Sequence, residues 1–282
     1  MYPTRNDVPQ AKARLLAIVM VGLLAVSVAL AWLVTRPPKD ASPYGAEIIA
    51  KLTADTLEGY WTGSDQTRWF IAVTEDMKPL GWEKRSRNRK TKGMFSENQI
   101  HENITGSRYE SNWRINADLS EGLYVSKHRD KKTRNKRSVE TRITLSKNKI
   151  TVVRKIADRK TTATAPRPDN YVPEGTFPLV LRLVAARGTS ATVKMIVDQH
   201  AIEKGAVNFV DFRLTPLSDN VVRVSCSSRK FSPMVVYHLA QDHQVYRYEY
   251  PLQGIIYRMC EKELVKKTFP KLDEGPATKP AP

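Results

Sequence analysis

The sequence lacks the short motifs that signal many well-known catalytic sites. It contains no H-E-x-x-H, no G-x-S-x-G, no phosphate-binding loop and no C-x-x-C pair. Its five histidines are scattered. A metal site built from His238, Asp242 and His243 fits the pattern less well than ordinary turn polarity does. The sequence therefore predicts no catalytic residue, no cofactor and no bound metal.

Cysteine is almost absent, since Cys226 and Cys260 are the only two in 282 residues. The lack of a cysteine near the N-terminus argues against a bacterial lipoprotein. Strand alternation places Cys226 on an inner face and Cys260 on an outer face beside Arg258, so we expect two free thiols. A β-bulge would reverse this parity and permit one disulfide.

Acidic residues are few, because 29 Asp and Glu stand against 46 Lys and Arg, giving a net charge of +17. Residues 82–165 hold 22 of the basic residues and only 9 of the acidic ones. Two basic clusters, residues 83–93 and residues 127–137, are predicted to lie at the ends of β-hairpins. Their candidate contacts with an anionic surface are Lys84, Arg85, Arg87, Arg89, Lys90, Lys92, Lys131, Lys132, Arg134, Lys136 and Arg137.

Three interpretations of the basic clusters stay open. Charged hairpins keep a protein soluble and protect strand edges. Beside an anionic lipid surface or envelope polymer, each Lys or Arg would contribute about 1 kcal/mol of binding free energy. Nucleic acid would also suit the charge, but the clusters lack the interleaved aromatic residues that stack on bases, so nucleic acid is disfavoured.

Charge is absent altogether from Leu15–Val34, and only Gly22 and Ser27 interrupt its larger apolar side chains. A helix of this length covers about 30 Å, the hydrocarbon thickness of a bilayer. We therefore predict a single N-terminal transmembrane helix that anchors the protein. Lys and Arg are slightly more frequent before it than after it. This bias predicts a cytoplasmic N-terminus and an extracytoplasmic main domain, periplasmic in a Gram-negative cell.

Two other interpretations of this segment remain. Ala29-Leu30-Ala31 resembles a signal-peptidase site, although the apolar run is longer than usual and continues past it. A buried core helix is the third interpretation. The predicted organisation is a cytoplasmic segment (1–14), the transmembrane helix (15–34), a linker (35–43), an antiparallel β-domain (44–265) and a disordered Pro-rich tail (266–282).

The main domain is predicted to be mainly β, a large antiparallel sheet with one or two packed helices. Apolar and polar residues alternate through stretches such as TRITLS (141–146) and NFVDFRLTP (208–216), as in strands with one covered face. Ala46–Leu57 reads as an amphipathic helix, and Thr176 and Gly188 would cap a second, buried helix. The polar stretch 157–175, with three prolines, predicts a long crossing loop. The tyrosines Tyr246, Tyr248, Tyr250 and Tyr257 would lie in the core or line a pocket.

This order of elements resembles the half-barrel of bacterial lipoprotein carriers and receptors of the LolA/LolB type and related uncharacterised envelope proteins. The stretch YVPEGTFPLVLRLVAARG (171–188), followed by a strand, carries most of the resemblance. The resemblance implies a curved, half-barrel-like meander over residues 44–265, with an apolar cavity that holds acyl chains. The predicted anchor and the basic hairpins depart from that family, and no functional residue transfers from it.

The sequence thus favours a membrane-anchored extracytoplasmic β-domain that is not an enzyme. It would bind a lipid-like or anionic envelope ligand, or a protein partner. One alternative is a hydrolase of envelope polymers whose carboxylates meet only in the fold, with Glu97, Glu102 and Glu110 as strand-borne candidates. The other is a structural subunit of an envelope complex.

Overall fold

The computed structural model describes residues 43–51, 66–91, 94–116, 118–129, 138–226, 234–240 and 244–270. The chain divides into two units, residues 1–40 and 41–282, and the described residues all belong to the second. The predicted span Leu15–Val34 and linker 35–42 lie outside the described residues. Within the described ranges, no helix is long and apolar enough to cross a membrane.

The described chain is mainly β, as predicted. The helices are α1 (Pro43–Ala50), α2 (Phe177–Arg187) and α3 (Lys262–Thr268). The strands are β1 (Gln66–Thr74), β2 (Pro79–Thr91), β3 (Met94–Asn103), β4 (Arg108–Asn116), β5 (Gly122–Arg129), β6 (Val139–Leu145), β7 (Lys149–Ile156), β8 (Arg159–Pro166), β9 (Ala191–Met195), β10 (Ile202–Glu203), β11 (Ala206–Val207), β12 (Val210–Ser218), β13 (Val221–Cys226), β14 (Met234–Leu239), β15 (Val245–Tyr250) and β16 (Ile255–Cys260).

Fourteen strands form one antiparallel sheet in the order β8-β7-β6-β5-β4-β3-β2-β1-β16-β15-β14-β13-β12-β9. Strands β10 and β11 form a separate hairpin that contacts β8. Consecutive strands are neighbours except where β1 pairs with β16 and β12 pairs with β9. The β1–β16 pair joins the two halves of the chain into a single sheet.

Helix α2 lies on one face of this sheet, which we call the inner face. Its residues Leu179, Val180, Leu181 and Val184 have no exposed surface, and it packs on β12 and β13. The helix follows Thr176 and ends at Gly188, whose φ of 65° is the left-handed conformation that glycine adopts easily. The predicted bounds and the glycine cap are confirmed. Thr176 holds the N-cap position, but its hydroxyl donates to the Pro173 carbonyl oxygen and not to the helix.

The predicted crossing loop over 157–175 is wrong in its first half. Residues 159–166 form β8, which pairs with β7 after a tight turn at Ala157 and Asp158. The polar sequence RKTTATAP suits a strand because threonine is β-branched and this strand's side chains are mostly exposed. Ala163 alone in β8 is buried.

The two terminal helices also differ from prediction. Helix α1 covers Pro43–Ala50 instead of Ala46–Leu57, and residues 52–57 lie outside the described part. Helix α3 runs past residue 265, where a disordered tail was expected. Its Val265 is fully buried against Trp69 and Trp82 on the outer face of the sheet. The predicted domain boundary at 265 is therefore too early, and α3 covers an apolar patch that would otherwise face solvent.

Cys226 and Cys260 are not joined by a disulfide. Cys226 is buried on the same face of β13 as Val222 and Val224. Cys260 is half-buried and packs with the outer-face cluster. The sheet thus separates the two thiols.

Gly175 packs directly against a buried ring of the sheet. It lies in the 3₁₀ turn before α2, and a Cβ built there would lie 1.9 Å from the Trp113 ring. Trp113 is itself buried. Only glycine lets this connection pack against the tryptophan.

We expect Gly175→Ala to lower the free energy of unfolding by about 1–3 kcal/mol, because the added methyl group overpacks a buried site. Urea denaturation of the full chain measures this change. In a Trp113→Leu background the same substitution should cost less, since the ring that it meets is gone. An equal cost in both backgrounds would contradict this account.

Candidate functional site

A cavity of about 400 Å³ lies against the inner face of the sheet. We call it the interior cavity. Strands from both halves of the chain, helix α2 and the segment after β9 form its walls. Its lining includes aromatic side chains (Tyr109, Trp113, Phe177, Phe212, Tyr237, Tyr248, Tyr250 and Tyr257) and ionisable ones (Glu83, Arg85, Glu97, His101, Glu174 and Asp198). The cavity therefore has an aromatic part and a charged part.

The aromatic part comes mainly from β14, β15 and β16. The rings of Tyr248 and Tyr257 stack with centroids 4.4 Å apart, and Tyr237 stacks on Tyr248 at 5.8 Å. Tyr250 meets both Tyr248 and Tyr257 edge-on at about 6 Å. Of the four tyrosines predicted to lie in a core or a pocket, three line the cavity.

The fourth, Tyr246, is exposed on the other side of the sheet. In a regular strand it would share a face with Tyr248. The pairing of β14 with β15 shifts between His238 and Leu239, so Val245 pairs with Leu239 and Tyr246 is the extra residue. This bulge turns Tyr246 outward and Val245 inward.

The charged part of the cavity comes first from β2. Alternation along this strand directs Glu83, Arg85 and Arg87 to the inner face and Lys84 to the outer face. Glu83 accepts a charge-assisted hydrogen bond from Arg85 and another, of 2.6 Å, from the hydroxyl of Tyr248. The Arg85 guanidinium also lies over the rings of Phe70 and Tyr248, at 5.2 and 5.3 Å.

A second ion pair lies beside the first. Arg87 on β2 donates to Glu97 on β3 and to the side-chain oxygen of Gln244. Both members of the pair are buried. Arg85 and Arg87 were predicted to contact an anionic surface, and for these two residues the prediction is wrong. Their charges are satisfied inside the protein.

Burial and ion pairing act in opposite directions on these groups. Burial alone would raise the pKa of Glu83, but the nearby Arg85 and His101 outweigh it and hold that pKa below its usual value. Burial lowers the pKa of His101, whose Nε2 lies 3.4 Å from the Tyr257 hydroxyl. Near neutral pH, Glu83 is therefore ionised and His101 is uncharged.

The opposite wall carries an acid–tyrosine cluster, which comprises Tyr109, Tyr124, Glu174 and Asp198. Asp198, in the 3₁₀ turn after β9, accepts hydrogen bonds from Tyr124 at 2.7 Å and from Tyr109 at 3.0 Å. Burial raises the pKa of Asp198. Burial, and after it the nearby charge of Asp198, raises the pKa of Glu174 to about 8. Glu174 borders the cavity and keeps part of its surface exposed.

The remaining predicted surface contacts are only partly described. Lys84 lies on the outer face with its Nζ 5.3 Å from the Trp69 ring centroid. Arg89 and Lys90 belong to β2, but their side chains are outside the described part, as is Lys92. Lys131, Lys132, Arg134, Lys136 and Arg137 also fall outside it. Their contact with an anionic surface stays a prediction.

The three carboxylates proposed for a hydrolase do not meet. Glu97 lies at the cavity, whereas Glu102 and Glu110 both pair with Arg108 on the opposite face. In the proposed metal trio, His238 bonds to Glu249 at 2.6 Å, and the other two members lie outside the described residues. Among the residues that the structure describes, no group of three potential metal ligands is present.

We expect Arg87→Met to lower the free energy of unfolding by about 3–5 kcal/mol, because Glu97 would keep a buried charge without its partner. Lys84→Met, on the outer face of the same strand, should change it by less than about 1 kcal/mol. Urea denaturation compares the two. If the double variant Arg87→Met/Glu97→Leu recovers no stability, the burial cost of a lone charge is not the cause.

We expect Glu174→Gln to stabilise the protein at pH 8 and not at pH 4. The pKa of this carboxyl is about 8 in the folded chain against a usual 4.5, so the folded state holds the proton more tightly. As pH rises from about 4.5 to about 8, ionisation favours the unfolded state and the wild type loses stability. The Glu174→Gln variant keeps this stability, because glutamine does not ionise. Urea denaturation at several pH values tests it, and a pH-independent difference would contradict it.

Comparisons with known proteins give a weak likeness to a solved structure. No protein-family model matches the chain, and no curated protein matches its sequence. A solved structure described as a "Beta-barrel-like Protein of Domain of Unknown Function DUF1849 from Brucella abortus" is similar to it, with a TM-score of 0.49 and 11% identity over 70% of this chain and 94% of that one. A likeness of this degree identifies neither a family nor a ligand. The resemblance to lipoprotein carriers and receptors stays a prediction.

Proposed function

We propose that this chain is a non-catalytic binding protein that holds the apolar body of a lipid-like or other amphiphilic small molecule in its interior cavity. The cavity itself is the observation that carries the proposal. Its volume of about 400 Å³ falls in the range of about 300–1,000 Å³ that is typical of small-molecule sites. Its lining combines aromatic surface with a few fixed polar groups, which is the usual composition of such sites.

The arrangement of charges favours binding over catalysis. Glu83 and Glu97 are each committed to an arginine, and Asp198 is committed to two tyrosine hydroxyls. Groups held in this way fix the shape and polarity of a site, whereas a general acid or base must exchange protons with a substrate. Binding without chemistry is the function that these contacts support best.

One observation favours the alternative of an envelope-polymer hydrolase. The pKa of Glu174 is raised to about 8, and this residue borders the cavity. Carboxyl groups with raised pKa serve as general acids in glycoside hydrolysis, paired with a second carboxylate. Under this alternative Asp198 would be that second group, and Glu174→Gln would abolish hydrolysis of the polymer.

The proposal includes a location. The span Leu15–Val34 would tether the domain, with the N-terminus in the cytoplasm and the domain outside the cell membrane, in the periplasm of a Gram-negative cell. The basic cluster at 127–137 would then contact anionic lipid or an envelope polymer. An anionic ligand would suit that outer surface better than the interior cavity, where carboxyl groups outnumber arginines.

The test is a search for a bound molecule in the full chain purified from the membrane fraction, by native mass spectrometry and by solvent extraction. Val235→Phe should lower its occupancy several-fold, because Val235 lines the cavity and the larger ring fills it. Val236→Phe is the matched control, since the next residue of β14 faces the other side of the sheet. Equal occupancy in both variants, or no bound molecule in the wild type, would overturn the proposal.

A further inference from the structure

The lining of the interior cavity is rich in acidic residues, although the whole protein is basic. The chain carries a net charge of +17. Yet the cavity is lined by four carboxyl groups, one guanidinium group and one imidazole. The imidazole belongs to His101, whose pKa is lowered by burial, so it adds no positive charge near neutral pH. Carboxyl groups thus border the aromatic wall of the cavity in a protein that is basic as a whole.

Two of the four carboxylates already have cationic partners. Glu83 pairs with Arg85, and Glu97 pairs with Arg87. These pairs cancel in charge and leave no excess on that wall. The acidic groups left for a ligand are therefore Glu174 and Asp198. Their raised pKa values mean that this wall holds protons when no ligand is bound, and a bound cation would favour the ionised carboxylates.

Glu174 and Asp198 have no such partner within the part of the chain that the structure describes. In that part, no Lys, Arg or His forms a salt bridge with Glu174 or Asp198. The charge of Arg85 acts on Glu174, and that of Arg154 on Asp198, only at longer range. Tyr124 and Tyr109 donate to one carboxylate oxygen of Asp198, at 2.7 and 3.0 Å. The other carboxylate oxygen of Asp198 is buried without a hydrogen-bond partner. This wall therefore has unused capacity to accept hydrogen bonds and to neutralise a positive charge.

The aromatic wall lies within electrostatic range of these acids. Burial, followed by neighbouring charges that include Glu174, raises the pKa of both Tyr237 and Tyr250. Aromatic faces attract cations, and this wall already does so, because the Arg85 guanidinium lies 5.3 Å from the Tyr248 ring. Carboxylates next to electron-rich rings are the usual surroundings of a bound ammonium group.

We propose that the ligand of the interior cavity carries a cationic amine or quaternary ammonium group, which lies beside Glu174 and Asp198 and against the tyrosine rings. This inference rests on the proposed binding function and names its ligand class. The apolar body of the ligand packs on Phe177, Phe212 and the aliphatic residues of β13 and β14. Neither an anion nor an uncharged molecule of the same shape makes both kinds of contact.

The test compares three probes that share a benzyl group: benzyltrimethylammonium, benzyl alcohol and phenylacetate. Calorimetric titration of the full chain in an uncharged maltoside detergent, with detergent alone subtracted, gives the affinities. The cation should bind about tenfold more tightly than either of the others, as expected for a cation held by aromatic faces and carboxylates.

Three variants identify the groups responsible. Glu174→Gln and Asp198→Asn keep the side-chain shape, and each should weaken binding of the cation about tenfold with little effect on benzyl alcohol. Glu110→Gln, on the outer face, is the control and should change neither affinity. Circular dichroism verifies that each variant is folded.

The outcomes separate this inference from the function on which it rests. Equal affinity for the three probes, or a preference for phenylacetate, would overturn the cationic class while a cavity that binds ligands remained. Cation binding that survives both acid substitutions would overturn the assignment to Glu174 and Asp198. If no probe binds and no molecule co-purifies with the chain, the binding function fails, and the ligand class fails with it.

Discussion

The pairing of β1 with β16 is the contact on which the rest of the described structure depends. It pairs Trp69–Thr74 with Ile255–Cys260. These two segments lie near opposite ends of the domain's sequence. Without it, the strands before α2 and the strands after α2 would be separate sheets. The hydrogen bonds from Tyr248 to Glu83 and from Arg87 to Gln244 both cross this junction. The cavity wall is therefore a product of the closure, and neither half contains it alone.

The closure also explains why charged residues can lie inside. A lone buried charge is costly, but the two halves bring donors and acceptors of complementary type to the same place. Glu83 receives one bond from its own strand and one from β15. Such pairs do little for overall stability compared with apolar packing. Their effect is to fix the polarity of the inner face, which an all-apolar lining would lack.

The elements that were predicted correctly from sequence have strong local signals. Helix α2 has an apolar run between Thr176 and Gly188, and the strands of the second half alternate cleanly. Strand β2 was misjudged because EKRSRNRK reads as a solvated basic run. Its inner face borders the cavity, and on its outer face Trp82 packs with Val265 of α3, so hydropathy does not reveal which side is inside. Only the pairing of β2 with β1 and β3 determines that the side chains of Arg85 and Arg87 lie on the inner face of the sheet.

Other parts of the site had no local signal at all. Glu174 and Asp198 lie in short connections, and their meeting depends on where β4, β5 and β9 bring those connections. The direction of Tyr246 depends on one extra residue in β15, which the alternation of tyrosines conceals. The tight passage of Gly175 beside Trp113 is visible only once both are placed. In each case tertiary contacts, and not local propensity, decide the outcome.

The position of β1 in the middle of the sheet has a consequence for how the protein is made. The chain is synthesised from its N-terminus, so β1 exists long before β16. Until residue 260 has emerged, one edge of β1 presents unpaired backbone groups, and its Trp69 lies uncovered by α3. An exposed strand edge of this kind is a template for pairing with other chains. The long sequence separation also makes the final closure slow. A nascent chain therefore exposes the edge of β1 until its partner strand arrives.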